Sequence, residues 1–392
     1  MAVSFRVRVE PELLRWARER SGTDPEVLAH RFPRLVDWES GDAQPTLKQI
    51  EGFAKATHTP VGYLFLPAPP VERVPIPDFR TIANRRVEHP SPDLLETVYI
   101  CQQRQEWYRD YAQSTRNDRL AFVGSARADA AVVAIAETMR HALGFDLVER
   151  RRFPTWTEAL RRFIEQADRL GVLVMVSGVV GSNNRRKLDP EEFRGFALAD
   201  DLAPLIFING TDTKAAQMFT LAHELAHIWL GQTALSDATA ISAEPLGEAV
   251  PRDADRIETW CNRVASELLV PIAALRQEYR EGAELTDEMQ RLARQFKVST
   301  LVILRRIYDA GKITRQALWR AYGEELDRLK AIPRGTGGDF YLTQSARIGK
   351  RFARAIVVST LEGQTLHRDA FRLLGFSKLS TFRELGHNLG VV

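Results

Sequence analysis

His223-Glu224-Leu225-Ala226-His227 places two imidazoles four residues apart with a carboxylate beside the first. On a helix this spacing turns both imidazoles to one face, where they can bind one Zn²⁺, while Glu224, about a quarter turn round, faces the water on that metal. The constellation is suited to metal-assisted hydrolysis of peptide bonds. The bland alternative is a helix that carries two histidines and a carboxylate by chance. The flanking residues argue for a positioned helix. Leu221, Leu225, Ile228 and Trp229 form an apolar stripe, Thr211-Asp212-Thr213 supplies an N-cap and Gly231 a stop, so the spacing predicts one amphipathic helix over Ala215–Trp229.

A catalytic zinc takes a third protein ligand and keeps a position open. Glu258 is the best candidate. It lies on a second expected helix, Arg256 to Val270, ended by Pro271, whose apolar stripe is Ile257, Cys261, Val264, Ala265 and Leu268. At ~100° per residue Glu267 falls on the opposite side of the wheel, so only one of the two carboxylates can face the zinc helix. A carboxylate aimed at a packed interface is costly unless compensated, and a metal compensates it. The alternative for Glu258 is a salt bridge at the helix rim.

The run Met218-Phe219-Thr220-Leu221-Ala222-His223-Glu224-Leu225-Ala226-His227, followed by Glu258 and Cys261-Asn262-Arg263-Val264-Ala265-Ser266-Glu267-Leu268-Leu269-Val270-Pro271, resembles the ImmA/IrrE family of zinc metallo-endopeptidases over roughly Pro190 to Lys312. The resemblance implies a zincin-like core with His223, His227 and Glu258 as zinc ligands and Glu224 as general base. It also implies a protein substrate: a helix-turn-helix repressor whose cleavage derepresses stress-response or mobile-element genes. Cys261 stands where the family usually has a small alanine.

The chemistry follows from the residues. Zinc lowers the pKa of its water to about 7, and Glu224 takes the proton as that water attacks a carbonyl, then passes it to the leaving amine. No His or Tyr is marked by spacing as a further oxyanion donor. Two imidazoles and a carboxylate suit zinc but also accept Mn²⁺ or Fe²⁺. Leu205-Ile206-Phe207-Ile208-Asn209 reads as a strand, either an edge that aligns an extended substrate or an ordinary core strand.

The elements that must position these residues divide into four expected regions: a helix-turn-helix-like domain over 1–70, a helical connector over 71–150, the metallopeptidase over 151–325 and a helical accessory unit over 335–392. In the first, helices are expected over Pro11–Arg20, Pro25–Phe32, Leu35–Ser40 and Leu47–Thr57, and Trp38 to Thr46 resembles the segment after the recognition helix of Xre-type domains. Glu26 to Trp38 is short for a turn plus recognition helix, and Pro33 sits where the turn belongs. DNA binding and a degenerate domain used for protein contact therefore stand side by side.

Pro67 to Pro77 reads as a linker or extended crossing segment. Helices follow over Pro92–Ala112, Ala128–Leu143 and Trp156–Leu170, then a buried strand over Gly171–Val176, giving an α+β, mostly helical fold with a small sheet. Glu288–Phe296 and Leu301–Ala310 read as helices that buttress the peptidase. In the C-terminal unit Gly338, Gly363, Gly375 and Gly386 mark turns, and Tyr341, Phe352, Ile356, Leu361, Leu374 and Leu389 are its expected core.

Fifty-four Lys and Arg against 51 Asp and Glu leave a net charge of +3, far from the balance of a protein that lives on phosphate contacts. Arg85-Arg86, Arg150-Arg151-Arg152, Arg161-Arg162 and Arg185-Arg186-Lys187 read as solvated surface. Two cysteines, Cys101 and Cys261, make a disulfide framework improbable. No basic-then-apolar leader opens the chain, and Gly171–Val180, the longest apolar run, is too short to cross a bilayer. The expectation is a cytoplasmic protein with no membrane partner and an open oligomeric state. Beside the zinc endopeptidase stand a DNA-binding regulator or antitoxin with a structural or vestigial metal site, and a scaffold that does neither.

Overall fold

The computed structural model describes residues 5–79, 90–236, 253–330 and 346–391. Arg85-Arg86, Gly338 and Tyr341 lie outside the described residues. The fold is α+β and mostly helical, with one small four-stranded mixed sheet, in agreement with the class expected from the sequence. Two compact units divide the chain, residues 1–75 with 85–99, and residues 76–84 with 100–392.

In the first unit α1 (Pro11–Ser21), α2 (Pro25–Arg31), α3 (Leu35–Ser40) and α4 (Leu47–Ala56) form close to the expected spans because their ends are coded locally. Gly22 ends α1 in the left-handed region, the Asp24 carboxylate accepts from the Glu26 N–H, and Thr46 with Gln49 makes a capping box on α4. Leu13, Leu14, Leu28, Leu35, Ile50 and Phe53 share one core. Helix α3 has six residues and is therefore about 9 Å long. Its Leu35 and Trp38 are buried while Val36 is 72% exposed.

The second unit is built on β1 (Leu173–Ser177), β2 (Gly195–Leu198), β3 (Leu205–Asn209) and β4 (Ala234–Ser236), in the order β1-β3-β2-β4. β1 runs parallel to β3, with Met175 opposite Phe207, and the other pairs are antiparallel. The strand Leu205–Asn209 is thus a central strand paired on both sides, the ordinary core strand of the two readings and not an edge that could align a substrate; the edges of the sheet are β1 and β4. All five of its residues are buried.

The helices of this unit are α5 (Pro92–Ser114) from Ile100 onward, α6 (Val132–Leu143), α7 (Leu147–Arg152), α8 (Trp156–Leu170), α9 (Lys214–Leu230), α10 (Asp253–Leu269), α11 (Ile272–Glu278), α12 (Leu285–Phe296), α13 (Thr300–Asp309) and α14 (Arg315–Lys330). Helix α6 starts later than its composition suggests, with Ala131 as N-cap, because residues 127–130 form a turn closed by the Ala130 N–H on the Arg127 carbonyl. Arg150 is not solvated: it is 3% exposed and donates to the Phe296 and Lys297 carbonyls at the end of α12. Arg186 is buried as well.

The C-terminal helices α15 (Lys350–Leu361), α16 (His367–Leu374) and α17 (Leu379–Asn388) bury Phe352, Ile356, Leu374 and Phe382. Two expectations fail here. Leu361 is exposed at the last position of α15, and Gly386 is buried inside α17, so the terminal turn falls instead at Gly390, whose φ is +63°. Gly363 and Gly375 do mark turns. Arg104 on α5 fastens this unit by donating to the Leu373 and Arg347 carbonyls.

Helix α9 is the centre of the second unit. Thr213 caps its start by accepting from the Ala216 N–H, and Gly231 at φ +68° ends it. The Ile228 carbonyl accepts from the Gly124 N–H of a loop far upstream as well as from the capping Gly231 N–H, and the Trp229 carbonyl accepts from the Ala126 N–H of the same loop. A Cβ at Gly231 would stand 2.9 Å from the Gly124 Cα. Gly231→Ala therefore combines a left-handed backbone with a backbone clash, and a loss of about 2 kcal/mol in stability is expected, read by urea unfolding.

Candidate metal centre

Helices α9 and α10 pack along each other, α9 also against β2 and β3, and they bring the expected site residues together. His223, Glu224 and His227 are fully buried and Glu258 is 8% exposed. His223 Nε2 lies 3.2 Å from Glu258 Oε2, His227 Nε2 lies 3.1 Å from Glu258 Oε1, and the two Nε2 atoms are 3.1 Å apart. Among the described residues these three form the metal-competent cluster.

A test of fit comes from the separations. Ligand atoms placed tetrahedrally about 2.0–2.1 Å from one zinc are about 3.3 Å from each other. The observed spacings match that figure, and a carboxylate with two imidazoles is the donor set that a divalent cation takes. Glu267, nine residues further along α10 and on the opposite side of its wheel, is used differently. It pairs with Arg306 and accepts from the Ile272 N–H, so the helical wheel separates the two carboxylates as expected.

Electrostatics without a cation show what this arrangement costs. Burial pushes the Glu224 carboxyl up to about 8, against the opposing pull of His223. For Glu258 burial also pushes upward, yet His223 and His227 together hold it at about 2. Burial lowers His227, whereas at His223 the same burial effect is outweighed by Glu258, Glu224 and Asn262, and its imidazole is held above its ordinary value. His223, His227 and Glu258 thus share charge, and Glu224 Oε1 is buried with no hydrogen-bond partner among the described residues.

Four further residues shape the site. Ser236 on β4 reaches Glu224 Oε2 at 3.5 Å and His227 Nε2 at 3.3 Å. Asn262, one turn after Glu258, is among the groups that hold the His223 imidazole above its ordinary value. Phe79 sets its ring 6.1 Å from that of His227. Gly195 on β2 faces α9, where a Cβ would meet Thr220 Cγ2 at 2.6 Å and the Phe207 carbonyl oxygen at 2.8 Å, with Glu224 Cγ at 3.5 Å. Only Asn262 carried a sequence signal, its four-residue spacing from Glu258. Ser236 sits on a three-residue strand too short to show alternation, and nothing in a proline-rich stretch marks Phe79.

Residues 167–308 match a family model described as the IrrE N-terminal-like domain, a peptidase M78 family. The match begins at the end of α8 and ends in α13, so it contains the whole sheet and both site helices. Residues 348–388, which hold α15–α17, match a model described as a domain of unknown function (DUF8813). No curated protein matches the chain.

Two outcomes follow from the site's charges. A carboxyl whose folded value is raised from 4.5 to about 8 destabilises the metal-free fold progressively as pH rises through that window. Glu224→Gln in chelator-treated protein should raise the unfolding temperature at pH about 8 and have little effect near pH 4, as measured by calorimetry. Zinc must displace the proton that His223 holds above its ordinary value, so zinc affinity should fall as pH drops through the range where that imidazole protonates, followed by chelator competition between about pH 5 and pH 8.

Proposed function

We propose that this chain, whose residues 167–308 form an IrrE N-terminal-like, metallopeptidase-type domain, is a zinc-dependent endopeptidase in which His223, His227 and Glu258 hold the cation and Glu224 is the general base. The observation that carries this reading is the buried triad of donor atoms at 3.1–3.2 Å. Mn²⁺ or Fe²⁺ would be accepted by the same donors.

A divalent cation at this site supplies an acidified water and charge stabilisation for a substrate carbonyl oxygen. Glu224 then does the proton work. Its carboxylate takes the proton of the attacking water and hands it to the departing amine, which needs a group that is ionised before attack and neutral after it. A neighbouring dication favours the ionised form that burial alone disfavours. The Ser236 hydroxyl donates toward Glu224 Oε2, which orients the carboxylate.

The substrate is a protein, and the resemblance to ImmA/IrrE peptidases supports a helix-turn-helix repressor of stress-response or mobile-element genes. The N-terminal unit serves its recruitment. Its short α3 presents Val36 and Asp37 outward, not a row of cationic donors, which favours protein contact over reading of a major groove about 12 Å wide. Both cysteines are free and buried, in keeping with a cytoplasmic setting. Among the described residues no helix is long and apolar enough to cross a membrane.

Metal analysis combined with proteolysis separates this reading from a DNA-binding regulator with a structural or vestigial metal. The wild type should hold about one zinc per chain, lost in His223→Ala and Glu258→Ala. Glu224→Gln should keep the zinc and lose cleavage by at least about a hundredfold. A zinc-loaded wild type that cuts no repressor or unfolded protein, yet binds an operator with a steep salt dependence, would establish the regulator instead.

A further inference from the structure

The edge strand beside the metal triad is occupied by the chain itself. Leu235, in the middle of β4, donates its N–H to the Pro77 carbonyl at 2.9 Å, and its own carbonyl accepts the Phe79 N–H at 2.9 Å. Asp78 and Leu235 thus form a parallel bridge on the side of β4 that β2 leaves open. Ser236, the next residue along β4, touches Glu224 and His227, and Phe79 lays its ring beside His227. One three-residue segment therefore takes up the main-chain groups of the strand nearest the triad and covers one ligand.

An extended peptide brought to this triad by the sheet has one place to go. β2 and β3 are paired on both sides, and β1, the opposite edge, lies two strands away from β2. The outward N–H and carbonyl of Leu235 are the groups that would hold such a peptide in register, because edge strands bind extended chains through their unpaired main-chain groups. Those are the groups that Pro77 and Phe79 now satisfy.

We propose that the outer edge of β4 is the peptide-docking register of this site and that Pro77–Phe79 is an internal strap that fills it, so that the enzyme rests in a self-blocked state. The proposal rests on the metallopeptidase reading above. The strap is built to be displaced. It makes a single bridge with two hydrogen bonds and belongs to no strand. Pro75 and Pro77 fix φ and lower the entropy that the strap loses when it docks, and neither has an N–H for a further strand to pair with. Ile76, 7% exposed, anchors it, while Asp78 is exposed.

The test uses two variants and a fluorescent peptide of the sequence Glu72–Phe79. Phe79→Pro deletes the N–H that donates to Leu235, and Phe79→Ala removes the ring at His227 and keeps the N–H. Anisotropy should show the peptide binding Phe79→Pro at least about tenfold tighter than wild type, with Phe79→Ala between them, whether or not zinc is loaded. Zinc-loaded Phe79→Pro should cleave casein at least about tenfold faster than wild type. Equal peptide affinity in all three proteins would overturn the strap, whatever the cleavage rates. Tighter binding by the variants with no cleavage by any zinc-loaded form would support the strap and remove the peptidase reading instead. If Phe79→Pro does not fold, the Phe79→Ala comparison decides alone.

Discussion

The second unit depends on a burial that would be ruinous if its parts were considered singly. His223, Glu224, His227 and Glu258 put two imidazoles and two carboxyls into an interior from which water is excluded. Each isolated charge there costs several kcal/mol. The arrangement is tolerable because His223, His227 and Glu258 lie 3.1–3.2 Å from one another and share charge. Much of the local design serves this proximity. Gly195 has no Cβ, so β2 can lie close to Thr220 and Glu224, and α9 is apolar on nearly every other side.

Helix α10 shows how one element answers two demands. Its Glu258 side faces the triad, while nine residues later Glu267 points the other way into the Arg306 guanidinium. Arg306 also donates to the Val270 carbonyl just beyond the helix, and Arg140 donates to the Glu267 carbonyl. Arg150 does the same for the end of α12. Buried arginines are thus used as fasteners for carbonyls that a helix C-terminus leaves without partners. Burial makes Arg150 easier to deprotonate, to about 9, which remains above neutral and leaves the fastener charged.

Those fasteners explain part of what was legible in the sequence and what was not. Helix spans were readable wherever the signals were local: Thr213 and Gly231 bracket α9, Thr155 and Gly171 bracket α8, and Thr46 with Gln49 opens α4. The triad was readable because helical spacing and a 180° wheel argument are one-dimensional facts. Strand order is not. β2 and β4 have four and three residues, too few for a period to emerge, and nothing along Leu205–Asn209 says that both its edges are taken. Arg150 sits in a run of three arginines that looks like surface. Its burial depends on carbonyls almost 150 residues away. Gly386 looked like punctuation, yet it is packed within α17 beside Leu385 and needs no turn.

The loop that completes the C-terminal end of α9 gives the chain a timetable. Gly124 and Ala126, whose N–H groups receive the last carbonyls of that helix, are translated about a hundred residues before it. The receiving loop is thus already made when α9 emerges. Glu258 follows His227 by thirty-one residues, which is roughly 2–6 s of synthesis at ~5–20 residues per second. During that interval the nascent protein has the two imidazoles and Glu224 but not the carboxylate that completes the cluster. A chain released between His227 and Glu258 would carry the His-Glu-Leu-Ala-His motif without the carboxylate that completes its cluster.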